Sequence, residues 1–185
     1  MMHDEGTAVL RFADGSQYEG SFEKNCFSGY GIMHYASGNK YYGNWVNDEK
    51  HDDSEAIFQY ANGDRYEGKF TNNVMNDDNA IFKFNNGNKY EGEVKNNNLN
   101  GYGVMNYENG AKYSGQWIDD VKHDTGKAVY YWPNEDKFEG PFDNDKMHGD
   151  GIFTPADGRD PQKVCYQFGK KVGVYDAEGN YTELE

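Results

Sequence analysis

"YEGKF", residues Tyr66 to Phe70, is one of six near copies of a five-residue phrase. The others are "YEGSF" from Tyr18, "YYGNW" from Tyr41, "YEGEV" from Tyr90, "YSGQW" from Tyr113 and "FEGPF" from Phe138. Their first residues step by 23, 25, 24, 23 and 25. Self-similarity at a fixed period of tens of residues marks a repeat array, in which each copy is one supersecondary unit stacked on its neighbours.

A second phrase precedes each anchor: "VLRFADG" from Val9, "IMHYASG" from Ile32, "IFQYANG" from Ile57, "IFKFNNG" from Ile81, "VMNYENG" from Val104 and "VYYWPNE" from Val129. The aliphatic leader always lies 9 residues before the anchor. The step from the fifth residue of the anchor phrase to the next leader varies between 10, 11 and 12. Two β-rich runs that share a buried face must hold register, because a one-residue slip turns every side chain over. Connections that cross a surface tolerate insertion. The constant part therefore reads as a hairpin, and the variable part as the link to the next one. Gly15, Gly38, Gly63, Gly87 and Gly110 fall in the turns after Asn, Asp or Ser, which suits the positive φ of a hairpin turn. The sixth turn departs, with Pro133-Asn134-Glu135.

Alternation sorts the faces. Gly31, Met33 and Tyr35 share one side with Tyr41, Gly43 and Trp45. With Tyr35 set opposite Tyr41, Met33 faces Gly43 and Gly31 faces Trp45. The next unit sets Tyr60 against Tyr66, Phe58 against Gly68 and Ala56 against Phe70. Each ring then meets a small residue, and a ring laid over a strand glycine restores the packing that the glycine lacks. The other side carries Lys40, Asn44, His34, Arg65, Glu67, Gln59, Lys89, Glu91 and Lys83, with Ile or Val as its apolar row. That is the pattern of an antiparallel sheet wet on one face.

The phrases resemble the MORN-repeat family, whose pattern is "YEGxW", a downstream "GxG" and a turn glycine. The "GxG" is intact at Gly29-Tyr30-Gly31, Gly101-Tyr102-Gly103 and Gly149-Asp150-Gly151. It is degraded at Ser54-Glu55-Ala56, Asp78-Asn79-Ala80 and Gly126-Lys127-Ala128, where the links are longer. The resemblance covers about Gly6 to Gly158. It implies an all-β fold: a single elongated, twisted antiparallel sheet of stacked hairpins with an aromatic groove on one side. It also implies a scaffold or binding module, found at cytoskeletal and ciliary structures, at membrane–cytoskeleton junctions or as an accessory segment of an enzyme; some members are suggested to bind lipid. The domain reading is a repeat array over 1–159 and a capping hairpin or tail over 160–185. The array starts in mid-repeat at Gly6-Thr7-Ala8, so its first strand either pairs with another copy or belongs to a longer protein.

The chain of 185 residues carries a formal charge of -14 and a sequence pI near 4.7. No basic patch forms, which opposes nucleic acid and anionic lipid as partners. No secretory signal pattern opens the chain, and no apolar run has the length of a membrane-spanning helix. Cys26 and Cys165 lie in distant repeats, on the order of 50 Å apart at about 4.8 Å per strand. Two free thiols and a reducing compartment follow. His51, His123 and His148 recur beside acids in the links, and His3 and His34 stand elsewhere. The plain reading is exposed loop residues rather than a metal ladder. No phosphate loop, nucleophile elbow or EF-hand spacing occurs. The expectation is no enzyme, no cofactor and no metal.

A sheet one layer thick cannot cover both faces, and exposed apolar patches of more than a few hundred Å² mark interaction sites. The expected partner-binding set is Tyr18, Phe22, Tyr35, Tyr41, Trp45, Tyr60, Tyr66, Phe70, Tyr90, Tyr107, Tyr113, Trp117, Trp132 and Phe138. Trp45 and Trp117 are the expected hot spots. The link acids Asp48, Glu49, Asp52, Asp53, Asp77, Asp78, Asp119, Asp120, Asp143 and Asp145 favour a basic, extended or helical protein segment. The reading is a cytoplasmic scaffold, cytoskeletal or ciliary, with self-association through edge strands as a further expectation. A lipid-binding module and an accessory domain of a larger enzyme are the alternatives.

Overall fold

The computed structural model describes residues 5–52 and 55–184. Their regular elements are all strands, arranged antiparallel as one sheet of successive hairpins with a short separate pair at Phe70–Thr71 and Val74–Met75. By contacts the chain forms two compact units, residues 1–87 with 93–97 and residues 88–92 with 98–185. In the first, Glu5–Arg11 pairs with Gln17–Glu23, then Cys26–His34, Lys40–Val46, Ala56–Gln59, Arg65–Gly68 and Asp77–Lys83 follow as neighbours. In the second the order is Asn98–Asn106, Lys112–Ile118, Asp124–Tyr131, Lys137–Asp143, Gly149–Thr154, Gln162–Gln167, Lys170–Tyr175 and Tyr181–Glu183. The segment after Asp160 thus supplies three further strands of the same meander.

The leader and anchor strands are joined by a three-residue loop. The Tyr35 amide donates to the Asn39 carbonyl at 2.9 Å, and the Gly38 amide to the Tyr35 carbonyl at 2.9 Å. Gly38 takes φ +87°, the left-handed residue of a type I turn with a bulge. The same pair of bonds closes the turns at Phe12, Tyr60, Tyr107, Trp132 and Asp176. This loop moves the register from the one expected. Met33, not Tyr35, stands opposite Tyr41; Gly31 faces Gly43 and Gly29 faces Trp45. Phe58 faces Tyr66, and Ala56 faces Gly68. The displacement is two residues on the leader strand, one full pleat, so the two faces keep their expected members.

The links run at the surface, as expected, but they are not irregular loops. Each turns back through two residues in the left-handed region: Lys24-Asn25, Asn47-Asp48, Asn72-Asn73, Asn96-Asn97, Asp119-Asp120 and Asn144-Asp145. Positive φ at both centres is the two-residue hairpin turn whose twist matches the strands. Phe22 then faces Phe27, Trp45 faces Lys50, Phe70 faces Met75, Trp117 faces Lys122 and Phe142 faces Met147. The variable length enters as a bulge on the outgoing strand. In a 10-residue link, Ser21 alone lies opposite the three residues 28–30. In a 12-residue link, the two residues 115–116 lie opposite the six residues 123–128.

The bulge is closed in two ways. Short links use left-handed glycines: Gly29, Gly101 and Gly149 at φ +67°, +52° and +102°. Longer links use an aspartate. Asp52 Oδ1 accepts the Asn44 amide at 2.6 Å, Asp77 Oδ2 the Lys69 amide at 2.8 Å, and Asp124 Oδ2 the Gln116 amide at 3.1 Å. This accounts for the degraded "GxG" triplets, whose last residue is Ala56, Ala80 or Ala128. Ser54, in the first of them, lies outside the described residues.

The anchors explain "Y-x-G". Tyr41 lies flat along its own strand, over Gly43, where a Cβ would stand 2.7 Å from Tyr41 Cζ and 2.8 Å from Ala56 Cβ. The hydroxyls of Tyr18, Tyr41, Tyr66 and Tyr113 each donate to the carbonyl three residues on, at 3.0, 2.8, 2.9 and 2.9 Å. On the opposite face Glu67 receives Arg65 and Lys83, as expected of a charge ladder. That face also exposes Tyr30, Tyr102, Val46 and Ile118 beside its Ile/Val row, more apolar surface than the sequence suggested.

Candidate functional site

The candidate site is the face that carries the rings. Burial divides the fourteen expected contact residues into a floor and a rim. Tyr18, Tyr41, Tyr66, Tyr90, Tyr113 and Phe138 are fully buried, and Phe22, Trp45, Phe70 and Trp117 expose 5% or less. They pack edge to face: Tyr41 meets Trp45 at 5.1 Å and Phe70 at 5.3 Å, and Tyr113 meets Trp117 at 5.3 Å and Phe142 at 5.0 Å. No second layer is needed, because the glycines let each ring lie down and its neighbours cover it. Trp45 and Trp117 thus sit in the core of a thin sheet, not at its surface, so truncating them removes core packing. Burial with the nearby Asp48 charge pushes the Tyr18 hydroxyl up to about 12, and burial pushes Tyr41, Tyr66 and Tyr113 up as well.

Tyr35, Tyr60, Tyr107 and Trp132 are half-buried. They occupy one position, the last ring before the three-residue loop. Rings the sequence reading left out complete this rim. In the first unit Tyr35, Phe58, Tyr60, Phe82 and Phe84 form a chain with centroid steps of 6.2, 4.7, 5.9 and 4.7 Å. In the second unit Tyr130, Trp132 and Phe153 follow at 5.1 and 5.7 Å. Tyr130, Trp132, Tyr166, Met147 and Lys122 line an open depression there.

Two lysines join the rings. Lys50 Nζ lies 5.8 Å from each of the Tyr35, Tyr41, Phe58 and Phe70 centroids. Burial holds its amine below the usual lysine range. Lys122 Nζ lies 5.4, 5.6 and 6.0 Å from Tyr107, Tyr113 and Trp117, and donates to the Tyr107 hydroxyl at 3.0 Å. Such cation–ring contacts contribute about 0.5–2 kcal/mol, more where water is excluded.

The link acids have structural tasks. Asp48 Oδ1 accepts the Phe27 amide at 2.6 Å, Asp120 Oδ1 the Leu99 amide at 2.7 Å, and Asp145 Oδ1 the Lys122 amide at 3.1 Å. Asn73 and Asn97 do the same for Lys50 and Met75, at 3.0 and 2.9 Å. Each two-residue turn is thereby tied to the turn one repeat back. The loop edge is laced alike: Ala36 to Ser16 Oγ, Ala61 to Asn39, Asn85 to Asp64, Glu108 to Asn88 and Ala156 to Asp136. Asp52 and Asp124 are buried beneath the ring face, and Asp53 lies outside the described residues.

His51 Nδ1 lies 3.4 Å from Asn72, His123 Nδ1 3.3 Å from Asp143, and His148 Nδ1 accepts the Phe168 amide at 3.3 Å. His3 lies outside the described residues. Among the described residues no three or more His, Cys, Asp or Glu side chains gather as a metal site. Cys26 and Cys165 are both free thiols, half-buried. No helix of the described residues is long and apolar enough to cross a membrane.

The MORN repeat model matches residues 18–40, 41–51, 90–112, 113–137 and 138–158. No curated protein matches the chain. Among solved structures, the chain is similar to the SAS-4 (dCPAP) TCP domain of Drosophila melanogaster, solved in complex with a proline-rich motif of Ana2. Identity is 15%, over 96% of this chain and 88% of that one, with TM-score 0.46. The CPAP G-box domain follows at 11% identity, 97% and 99% coverage and TM-score 0.43. The TCP10 domain of Danio rerio CPAP shows 12% identity, 92% and 89% coverage and TM-score 0.28.

Proposed function

This chain belongs to the MORN-repeat family, and from that premise we propose that it is a non-catalytic scaffold that docks a segment of another protein on its ring face. The observation that carries the reading is the half-exposed rim: Tyr35, Phe58, Tyr60, Phe82 and Phe84 in one unit, Tyr130, Trp132 and Phe153 in the other. The fully buried floor already satisfies the packing of the sheet. The rim rings are held in place by that floor, yet keep apolar area in water. Preordered Tyr, Trp and Phe rings are the residues that dominate binding energy when they are covered, at little cost in side-chain entropy.

The working location is the cytoplasm, at cytoskeletal or ciliary structures. The family likeness supports this, as do two free cysteines in a chain suited to a reducing compartment.

The test separates rim from floor. A Tyr60→Ala, Trp132→Ala double variant is expected to fold with an unchanged far-ultraviolet spectrum and to lose at least tenfold in affinity for a partner recovered by pull-down and measured by calorimetry. Full affinity in that folded variant rules out docking on the ring face.

A further inference from the structure

The residue two places after each two-residue turn, including a seventh at Phe168-Gly169, faces the ring side. Across the repeats this slot holds Phe27, Lys50, Met75, Leu99, Lys122, Met147 and Lys171. Its apolar members lie against the rings: Phe27 stacks on Tyr18 with centroids 3.9 Å apart, and Met75, Leu99 and Met147 expose 8% each. Three of the seven occupants are lysines all the same. A lysine in such a slot lays its stem on the rings and keeps a charged head among or above them. Lys50 and Lys122 are half-buried with the ammonium held among the rings named above, and Lys171 Nζ lies 5.6 Å over Phe153.

The opposing charges are engaged elsewhere. Asp52 and Asp124 accept backbone amides beneath the face. Lys122 has Asp145 at 3.7 Å, a long pair across the turn edge. Among the described residues no carboxylate lies within ion-pair distance of Lys50 or Lys171. The ring face therefore carries amines with few carboxylate partners, in a chain whose formal charge is -14. Charges beyond roughly 8 Å are largely screened at physiological salt, so a docked segment meets the lysines rather than the net charge.

We propose that the docked segment is acidic, with Asp or Glu side chains interleaved among apolar ones, seated on Lys50 where it docks on the first unit and on Lys122 and Lys171 where it docks on the second. This rests on the docking reading and gives the partner a charge opposite to the one the link acids suggested. Lys122 and Lys171 stand two repeats apart, four strands at about 4.8 Å, or roughly 19 Å. An extended segment at about 3.3 Å per residue would place its acids roughly six residues apart to reach both.

The probe is a displayed library of random 16-residue peptides, selected on the whole chain. The comparison protein carries Lys50→Met, Lys122→Met and Lys171→Met, since Met75 and Met147 show that methionine suits this slot. A second comparison carries Arg at the three positions, and both are checked for an unchanged unfolding transition. The expected result is enrichment of Asp and Glu, at least tenfold weaker binding to the Met variant, and binding retained by the Arg variant. Peptides that lose affinity with Tyr60→Ala and Trp132→Ala but show no acidic enrichment, or bind the Met variant equally, overturn the charge assignment and leave docking standing. Recovery of no peptide sensitive to the two rim substitutions overturns docking and, with it, this inference.

Discussion

Asp52 and Asp124 hold the same post, each accepting the backbone amide of the residue eight places before it, yet their carboxyls are driven in opposite directions. Burial pushes Asp52 up, and its bonds from Tyr41 and Asn44 do not overcome it. Burial pushes Asp124 up too, but amides of Lys127, Gly126 and Gln116 outweigh it and hold the carboxyl below its usual range. The difference is the number of amide donors aimed at each carboxylate.

Asp124→Asn should therefore destabilise at neutral pH, by about 1.5–3 kcal/mol, the range for hydrogen bonds to a charged group. With the folded value below the unfolded one, the contribution of Asp124 is complete above the unfolded value, near pH 4, and fades as pH falls through the folded value. Asp52 has the reverse sign: its folded value is raised, so ionisation opposes folding at neutral pH. Asp52→Asn should be neutral or stabilising at pH 7 and lose that advantage on acidification. Urea unfolding of both variants from pH 7 to pH 3 checks the pair. Parallel curves would remove the assignment.

Glu135 occupies the loop position that six other turns among the described residues give to glycine, at φ +68°. A left-handed non-glycine residue costs about 1–2 kcal/mol. Glu135→Gly should raise the urea midpoint by the equivalent of about 1 kcal/mol, with the slope unchanged, despite the greater entropy of the unfolded chain.

Gly43→Ala should be far more damaging than Gly15→Ala. The added Cβ at Gly43 would meet the Tyr41 ring and Ala56 at under 3 Å, whereas Gly15 has open space and only its φ of +95° to strain. The expected losses are about 3 kcal/mol or failure to fold for Gly43→Ala, and about 1 kcal/mol for Gly15→Ala. Thermal unfolding of the two proteins side by side decides it.

Trp117 Nε1 donates to the Gly103 carbonyl at 3.4 Å, but among the described residues the buried Trp45 Nε1 has no partner. Phenylalanine fills the equivalent slot at Phe22, Phe70 and Phe142. Trp117→Phe should cost about 1 kcal/mol more than Trp45→Phe, because only the former gives up a hydrogen bond while the latter relieves an unpaired donor. Equal unfolding midpoints would contradict the difference.

The period, the alternation of faces and the ladder of charged pairs were legible in the sequence because each follows from a pleat of two. Register was not, since Asn-Gly before an anchor fits a two-residue loop as well as the bulged three-residue loop that Asn62-Gly63 adopts. The turns inside the links were hidden because Asn-Asp, Asn-Asn and Asp-Asp lack the glycine that usually betrays a two-residue turn. Depth was hidden as well. Alternation puts Tyr41 and Tyr60 on one face, but only the collapse of Tyr41 onto Gly43 shows that one is floor and the other rim. Lys50 and Lys122 left a trace that was readable: they break a column otherwise filled by Phe27, Met75, Leu99 and Met147.

Asp48 reaches back to Phe27, Asn73 to Lys50, and Asp145 to Lys122, each one period away. Each period thus brings its own fasteners for the period before it and leaves matching sockets for the one after. Deleting or duplicating a whole period would restore the same joints at the splice. Unequal recombination within the coding sequence would then yield longer or shorter foldable chains, with reach along the ring face as the property that selection adjusts.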